Sequence, residues 1–151
     1  MSSEKTKLIV GSLEVCNLPE IGIFDLQIRV DTGAKTSSLH VDNLIKYKVE
    51  GKPWVKFDMH PDVYNVDEVI SCESKLHDIR AIKSSNGVSE ERYVIKTLIE
   101  LGGQSWPIEI TLTNRSDMRN LMLLGRQGMR NRILVNPSKT FLLGNNDESS
   151  S

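Results

Sequence analysis

Apolar and polar residues alternate with a period of two over most of the chain, and that period predicts strands. Leu8-Ile9-Val10 and the segment to Val15 read as a first strand and Ile21 to Val30 as a second, with Asn17-Leu18-Pro19-Glu20 turning between them. In the second strand Leu26, Ile28 and Val30 share one side, and Gln27 and Arg29 the other. Ser37 to Leu44 returns as a further strand, and the polar run Lys46 to Gly51 predicts a turn. Trp54 to Met59 alternates cleanly. From His60 to Asp78 the pattern fails among Pro61, several acids and two of the three histidines, which predicts an excursion without regular structure.

Hairpins follow. Ile79 to Lys83 and Glu91 to Ile99 flank Ser84-Ser85-Asn86-Gly87, and Asn-Gly between β-favouring runs is a strong hairpin signal. Tyr93, Ile95, Ile99 and Leu101 then alternate into Gly102-Gly103-Gln104-Ser105, and Trp106, Ile108, Ile110 and Leu112 alternate out of it. Pro107 there suits an edge. Ser116-Asp117 is a start signal before an apolar strand, Leu121 to Leu124, and Gly125 to Arg132 predicts a short helix. Ile133 to Val135 and Thr140 to Leu143 read as short strands. The expected architecture is all-β: a closed or orthogonally packed barrel with a short C-terminal helix, made by residues 8–143 between a flexible N-terminus (1–7) and a disordered tail (144–151).

Composition narrows the partners. With 151 residues the chain can bury one sizeable core, and 19 basic against 20 acidic residues leave a net charge of -1. That balance predicts no general attraction to nucleic acid or to a membrane. The polar start of the chain lacks the apolar stretch of a signal peptide, so a cytoplasmic location is expected. Cys16 and Cys72 are too few for a disulfide scaffold and read as buried free thiols.

Chemistry concentrates where the second strand ends. Val30 runs into Asp31-Thr32-Gly33-Ala34-Lys35, which sets a carboxylate at a rigid strand end, followed by a glycine turn. A carboxylate acts as general base on water only within hydrogen-bond reach of it, and a strand end holds such geometry. Asp-Thr-Gly-Ala after an apolar strand resembles the active-site loop of aspartic peptidases. Leu121 to Met129 is similar to the apolar-apolar-Gly-Arg segment that retropepsin-like proteins place behind that loop. Asp31 to His40, Arg80 to Gly87, Leu112 to Ser116 and Leu123 to Arg126 together resemble one bacterial and archaeal family, over roughly residues 8 to 143. Its members are retropepsin-like, carry the inherited label of ATP-dependent zinc protease, and sometimes stand beside or fused to ATP-grasp ligases.

The resemblance implies an aspartic endopeptidase acting on a peptide or protein substrate, with an ATP-grasp ligase among its partners. An aspartic dyad needs two carboxylates sharing a proton. The chain holds one Asp-Thr-Gly, so the resemblance implies a homodimer in which Asp31 of each copy meets at a two-fold axis. Thr32 would bond across that axis, Gly33 would approach the substrate backbone, Ala34 would line the site, and Asn86-Gly87 would close over the peptide. A cation at Lys35 would favour the ionised dyad, or else face solvent. A binding module of the same fold without turnover is the first alternative, a zinc hydrolase the second.

The residues argue against a metal or nucleotide cofactor. No His-Glu-x-x-His occurs, His40, His60 and His77 match no common zinc spacing, and there is no Gly-x-x-x-x-Gly-Lys cradle for ATP. Arg115, Arg119, Arg126, Arg130 and Arg132 fall within eighteen residues that contain one acid, Asp117. They read as a solvated face or interface, or as an anionic-substrate pocket in which Arg126 takes an acidic peptide such as a glutamate-rich tail.

Overall fold

The computed structural model describes residues 7–60, 68–83, 87–114 and 121–143. Its strands are β1 (Leu8–Val10), β2 (Leu13–Leu18), β3 (Ile23–Val30), β4 (Ser37–His40), β5 (Asp42–Val49) and β6 (Lys52–Met59). The remaining ones are β7 (Ile70–Lys75), β8 (Asp78–Lys83), β9 (Ser89–Leu101), β10 (Gln104–Thr113), β11 (Met122–Leu124) and β12 (Ile133–Val135), with one helix, α1 (Arg126–Met129). Among the described residues, β10-β4-β11-β3-β2-β9 form a ring that closes because β9 also pairs with β10. This mostly-β closed barrel with a short helix is the expected class. Ile23, Leu26, Ile28 and Val30 of β3 point inward to meet Ile95, Ile99, Ile108 and Ile110, all buried. Such alternation lets one strand face core and solvent at once.

Closure puts β11 between β3 and β4. It runs parallel to β3, with Leu124 opposite Val30, and antiparallel to β4, with Met122 opposite Leu39. The loop joining β3 to β4 therefore has to pass over the end of β11. Pro107 is compatible with this ring although β10 has partners on both sides. The parallel pairing with β4 begins only at Ile110, so Pro107 has a single neighbour, Leu98 on β9.

Several expectations need correction. Leu8 to Val15 is not one strand, since β1 and β2 belong to different sheets and β2 runs on through Asn17-Leu18, and Ser37 to Leu44 is likewise divided between β4 and β5. Lys46 to Gly51 does not simply turn: β5 continues to Val49 and the turn is confined to Glu50-Gly51, both at positive φ. Backbone pairing with β6 after a bulge at Asn43 carries it, since its side chains are half or fully exposed throughout. The interval from His60 to Asp78 contains a regular strand, β7, in register with β6 from Met59 opposite Ile70 to Trp54 opposite Lys75. Thr140 to Leu143 is not a strand, because Phe141 adopts φ 53, which breaks an extended run. That segment is held instead by the buried carboxylate of Glu14, which accepts from Gly11 N at 2.8 Å, Leu142 N at 2.9 Å and Leu143 N at 3.3 Å. Ser116 and Asp117 lie outside the described residues, as do both chain ends. Cys16 and Cys72 are free and buried, and burial pushes their thiols up to about 12 and about 11 respectively. No helix among the described residues is long and apolar enough to cross a membrane.

Candidate active site

The loop after β3 is fastened on every side by backbone. Asp31 N donates to Leu124 O at 2.9 Å, and Ala34 N donates to Asp31 O at 3.2 Å. The first helical N–H groups of α1 lack partners within so short a helix. They go to the loop instead: Arg126 N to Ala34 O at 2.8 Å and Gln127 N to Lys35 O at 3.0 Å. Just before them, Gly125 N donates to the buried hydroxyl of Ser37 at 3.0 Å. A Cβ on Gly125 would stand 2.5 Å from the Thr36 carbonyl, so only glycine lets the two segments cross this closely.

Asp31 is half-buried, and its Oδ1 accepts from Gly33 N at 2.9 Å. Gly33 is not in the left-handed region. Its tight contact is with that same oxygen, 3.2 Å from where a Cβ would sit. Oδ2 receives no hydrogen bond from the described residues. Thr32 is exposed, and its carbonyl accepts from Arg126 Nη1 at 2.9 Å. Ala34 is half-buried and Lys35 exposed. Gly87 is exposed at φ 86 beyond β8, and Asn86 lies outside the described residues.

Beside this loop lies a cleft of about 560 Å³. Lys35 and Thr36 enter it from the loop, Arg126, Gln127 and Arg130 from α1 and its end, Arg80 and Ala81 from β8, Glu109 and Thr111 from β10. Asp31 is not among its lining residues. Four of these side chains are cationic and Glu109 alone is acidic. Arg80 bridges Asp78 Oδ2 (2.9 Å from Nε) and Glu109 Oε1 (2.7 Å from Nη2). The hydrogen bonds from Arg80 hold both carboxyls below their ordinary range, and Glu109 first, then Asp78, raise the guanidinium in return. Sequence reasoning reached Lys35 and Arg126 but missed Arg80 as a cleft residue, together with Glu109, Gln127 and Ser37. Arg80 opens one of the motifs that carry the resemblance, which was the available signal. Nothing local marks Glu109.

A family model for the "RimB-like: Retropepsin-like aspartic endopeptidase RimB" family matches residues 9–146. The chain belongs to the RimB-like family of retropepsin-like aspartic endopeptidases. The resemblance read from four separated motifs thus holds across nearly the whole described chain. A probable alpha-L-glutamate ligase of Shewanella pealeana is 51% identical over 138 residues, covering 91% of this chain and 30% of that protein. One from Desulfotalea psychrophila is 43% identical over 144 residues, covering 95% and 31%. The chain therefore spans a little under a third of the curated relatives' length. A crystal structure of a Legionella pneumophila protein of unknown function (DUF785) superimposes with a TM-score of 0.75 at 27% identity, covering 91% of this chain and 99% of that one.

The zinc of the inherited label finds no matching donor set among the described residues. His60 Nε2 lies 2.9 Å from Asp42, His77 Nε2 lies 3.2 Å from Glu109, and Cys72 is buried on β7. The buried Nδ1 of His40 lacks a partner, yet no group of three or more His, Cys, Asp or Glu converges on a common point there or elsewhere in the described chain.

Proposed function

We propose that two copies of this domain form an aspartic endopeptidase whose dyad is Asp31 from each. The two carboxylates share one proton and hold a water. One takes a proton from that water as it attacks the scissile carbonyl, and the other donates to the carbonyl oxygen. The observation that supports the reading is the bracing of Asp31: its own N–H is tied to β11, its carboxylate to Gly33, and its loop to the start of α1. Thr32 joins the two loops at the axis, Gly33 and Ala34 border the scissile bond, and β8 and β9 with Gly87 cover the peptide.

The substrate we propose is an acidic peptide or tail. Lys35, Arg80, Arg126 and Arg130 surround the cleft beside the loop, and guanidinium forks match carboxylates in shape and charge. The relatives, described as glutamate ligases, point to the same chemistry from the side of synthesis, and an ATP-grasp ligase is the partner proposed. Asp31→Asn tests the mechanism. Turnover of an acidic peptide should fall by at least about 1000-fold, while its binding, followed by fluorescence anisotropy, stays close to that of the unsubstituted protein. Retained turnover would remove Asp31 from the chemistry. Binding without turnover in both proteins would make the domain a peptide-binding module.

A further inference from the structure

We infer that Arg80 is the residue that reads a substrate carboxylate in the cleft, and that Glu109 and Asp78 serve it as positioning residues by holding its guanidinium still. The inference rests on the acidic-peptide reading and adds to it which cation selects.

The four cations of the cleft differ in how they are held. Lys35 is exposed on a flexible stem, and Arg130 is exposed with no hydrogen-bond partner among the described residues. Either must lose side-chain freedom to grip a ligand. Arg126 spends Nη1 on the Thr32 carbonyl, so its first duty is to the catalytic loop. Arg80 alone is pinned at two points by carboxylates, Nε to Asp78 and Nη2 to Glu109, and is only one-third exposed. Glu109 is itself fixed, its other oxygen 3.2 Å from His77 Nε2 and its backbone N–H 3.2 Å from Gln127 Oε1. Of the five N–H donors of a guanidinium, Nη1 and the second hydrogen of Nη2 are left without a partner among the described residues. These donors can give charge-assisted hydrogen bonds to a substrate carboxylate. The cleft thus offers a carboxylate receptor on β8.

This arrangement predicts an effect opposite in sign to simple charge counting. Glu109 is the one acidic residue lining the cleft, so removing its charge should tighten an acidic ligand if charge alone mattered. If Glu109 acts by holding Arg80, its loss should weaken that ligand.

The experiment uses fluorescein-labelled hexaglutamate and hexaglutamine peptides, titrated by anisotropy at fixed salt against protein carrying Asp31→Asn, so that cleavage cannot interfere. Arg80→Met should weaken hexaglutamate by about 10- to 100-fold, the loss of one charge-assisted contact. Arg80→Lys should recover only part of this, because an ammonium has charge without the fork. Glu109→Ala should weaken hexaglutamate by about 3- to 10-fold, and Glu109→Gln, whose amide oxygen still accepts from Nη2, should restore most of that. Hexaglutamine binding and the thermal unfolding midpoint should hold steady across the series. Tighter hexaglutamate binding by Glu109→Ala, or equal losses for both peptides in Arg80→Met, would overturn the inference. So would no binding of hexaglutamate to the parent protein, whereas hydrolysis of a neutral peptide by the unsubstituted protein would then still uphold the peptidase reading. Selective binding of hexaglutamate with no turnover by the unsubstituted protein would sink the peptidase reading and leave Arg80 as the reader.

Discussion

At Gly125 the chain has no room for a side chain. An added Cβ would lie 2.5 Å from the Thr36 carbonyl carbon and oxygen and 3.0 Å from the Ala34 carbonyl, all of it backbone that cannot swing aside. Those carbonyls belong to the loop that carries Asp31. Gly125→Ala should therefore cost about 1–3 kcal/mol, as overpacking does, and should also depress turnover by displacing the loop. Urea unfolding and steady-state kinetics on the same preparation check both. Gly128 is the comparison: a Cβ there meets side-chain atoms of Leu124, Ile108 and Ser37 at 2.9 to 3.3 Å, which can yield. Gly128→Ala should cost less and leave turnover nearer normal, and equal effects at the two glycines would refute this account of Gly125.

At the level of elements, short pieces are held by side chains more than by their own ladders. Helix α1 has four residues and fastens its end through Trp106 Nε1, which donates to Gly128 O at 2.8 Å, while the Arg132 guanidinium lies 5.4 Å from the Trp106 ring centroid. The segment around residues 139–143 relies on Glu14, fully buried on β2, for acceptors that a strand partner would otherwise supply. Glu14→Ala would strand three backbone N–H groups, those of Gly11, Leu142 and Leu143. The expected loss is about 2–4 kcal/mol, reduced where water reaches the segment, and hydrogen exchange should show early opening at Leu142 and Leu143. A variant as protected as the parent at those amides would show that the latch is dispensable.

The whole molecule supplies one Asp31, and the proposed chemistry needs two. Activity should then depend on association: specific activity should fall as protein is diluted through the dimer dissociation constant, in step with the dimer fraction from sedimentation velocity. Constant specific activity on a monomeric sample would exclude the shared dyad. The same dependence would distinguish a free domain from one embedded in a longer chain like those of the glutamate-ligase relatives, where neighbouring sequence could raise the local concentration.

Local pattern was enough to read β3, β6, β9 and β10, because each half-buried strand writes its alternation directly into sequence. It was enough also for the carboxylate and turn of the Asp31 loop, whereas the partner segment near Leu124 was reached through the family resemblance. It could not reveal the far end of β5, whose side chains are half or fully exposed and which continues through backbone pairing, or the short β7. Nor could it show that β11 would lie between β3 and β4, since a three-residue strand carries too few positions to state a register. The cleft was least legible of all. Arg80 and Glu109 stand twenty-nine positions apart on strands that flank β9, and only the folded sheet brings guanidinium and carboxylate to 2.7 Å. Chemistry held within one loop is a property of sequence, whereas chemistry assembled from β8, β10, α1 and that loop follows from the barrel's closure.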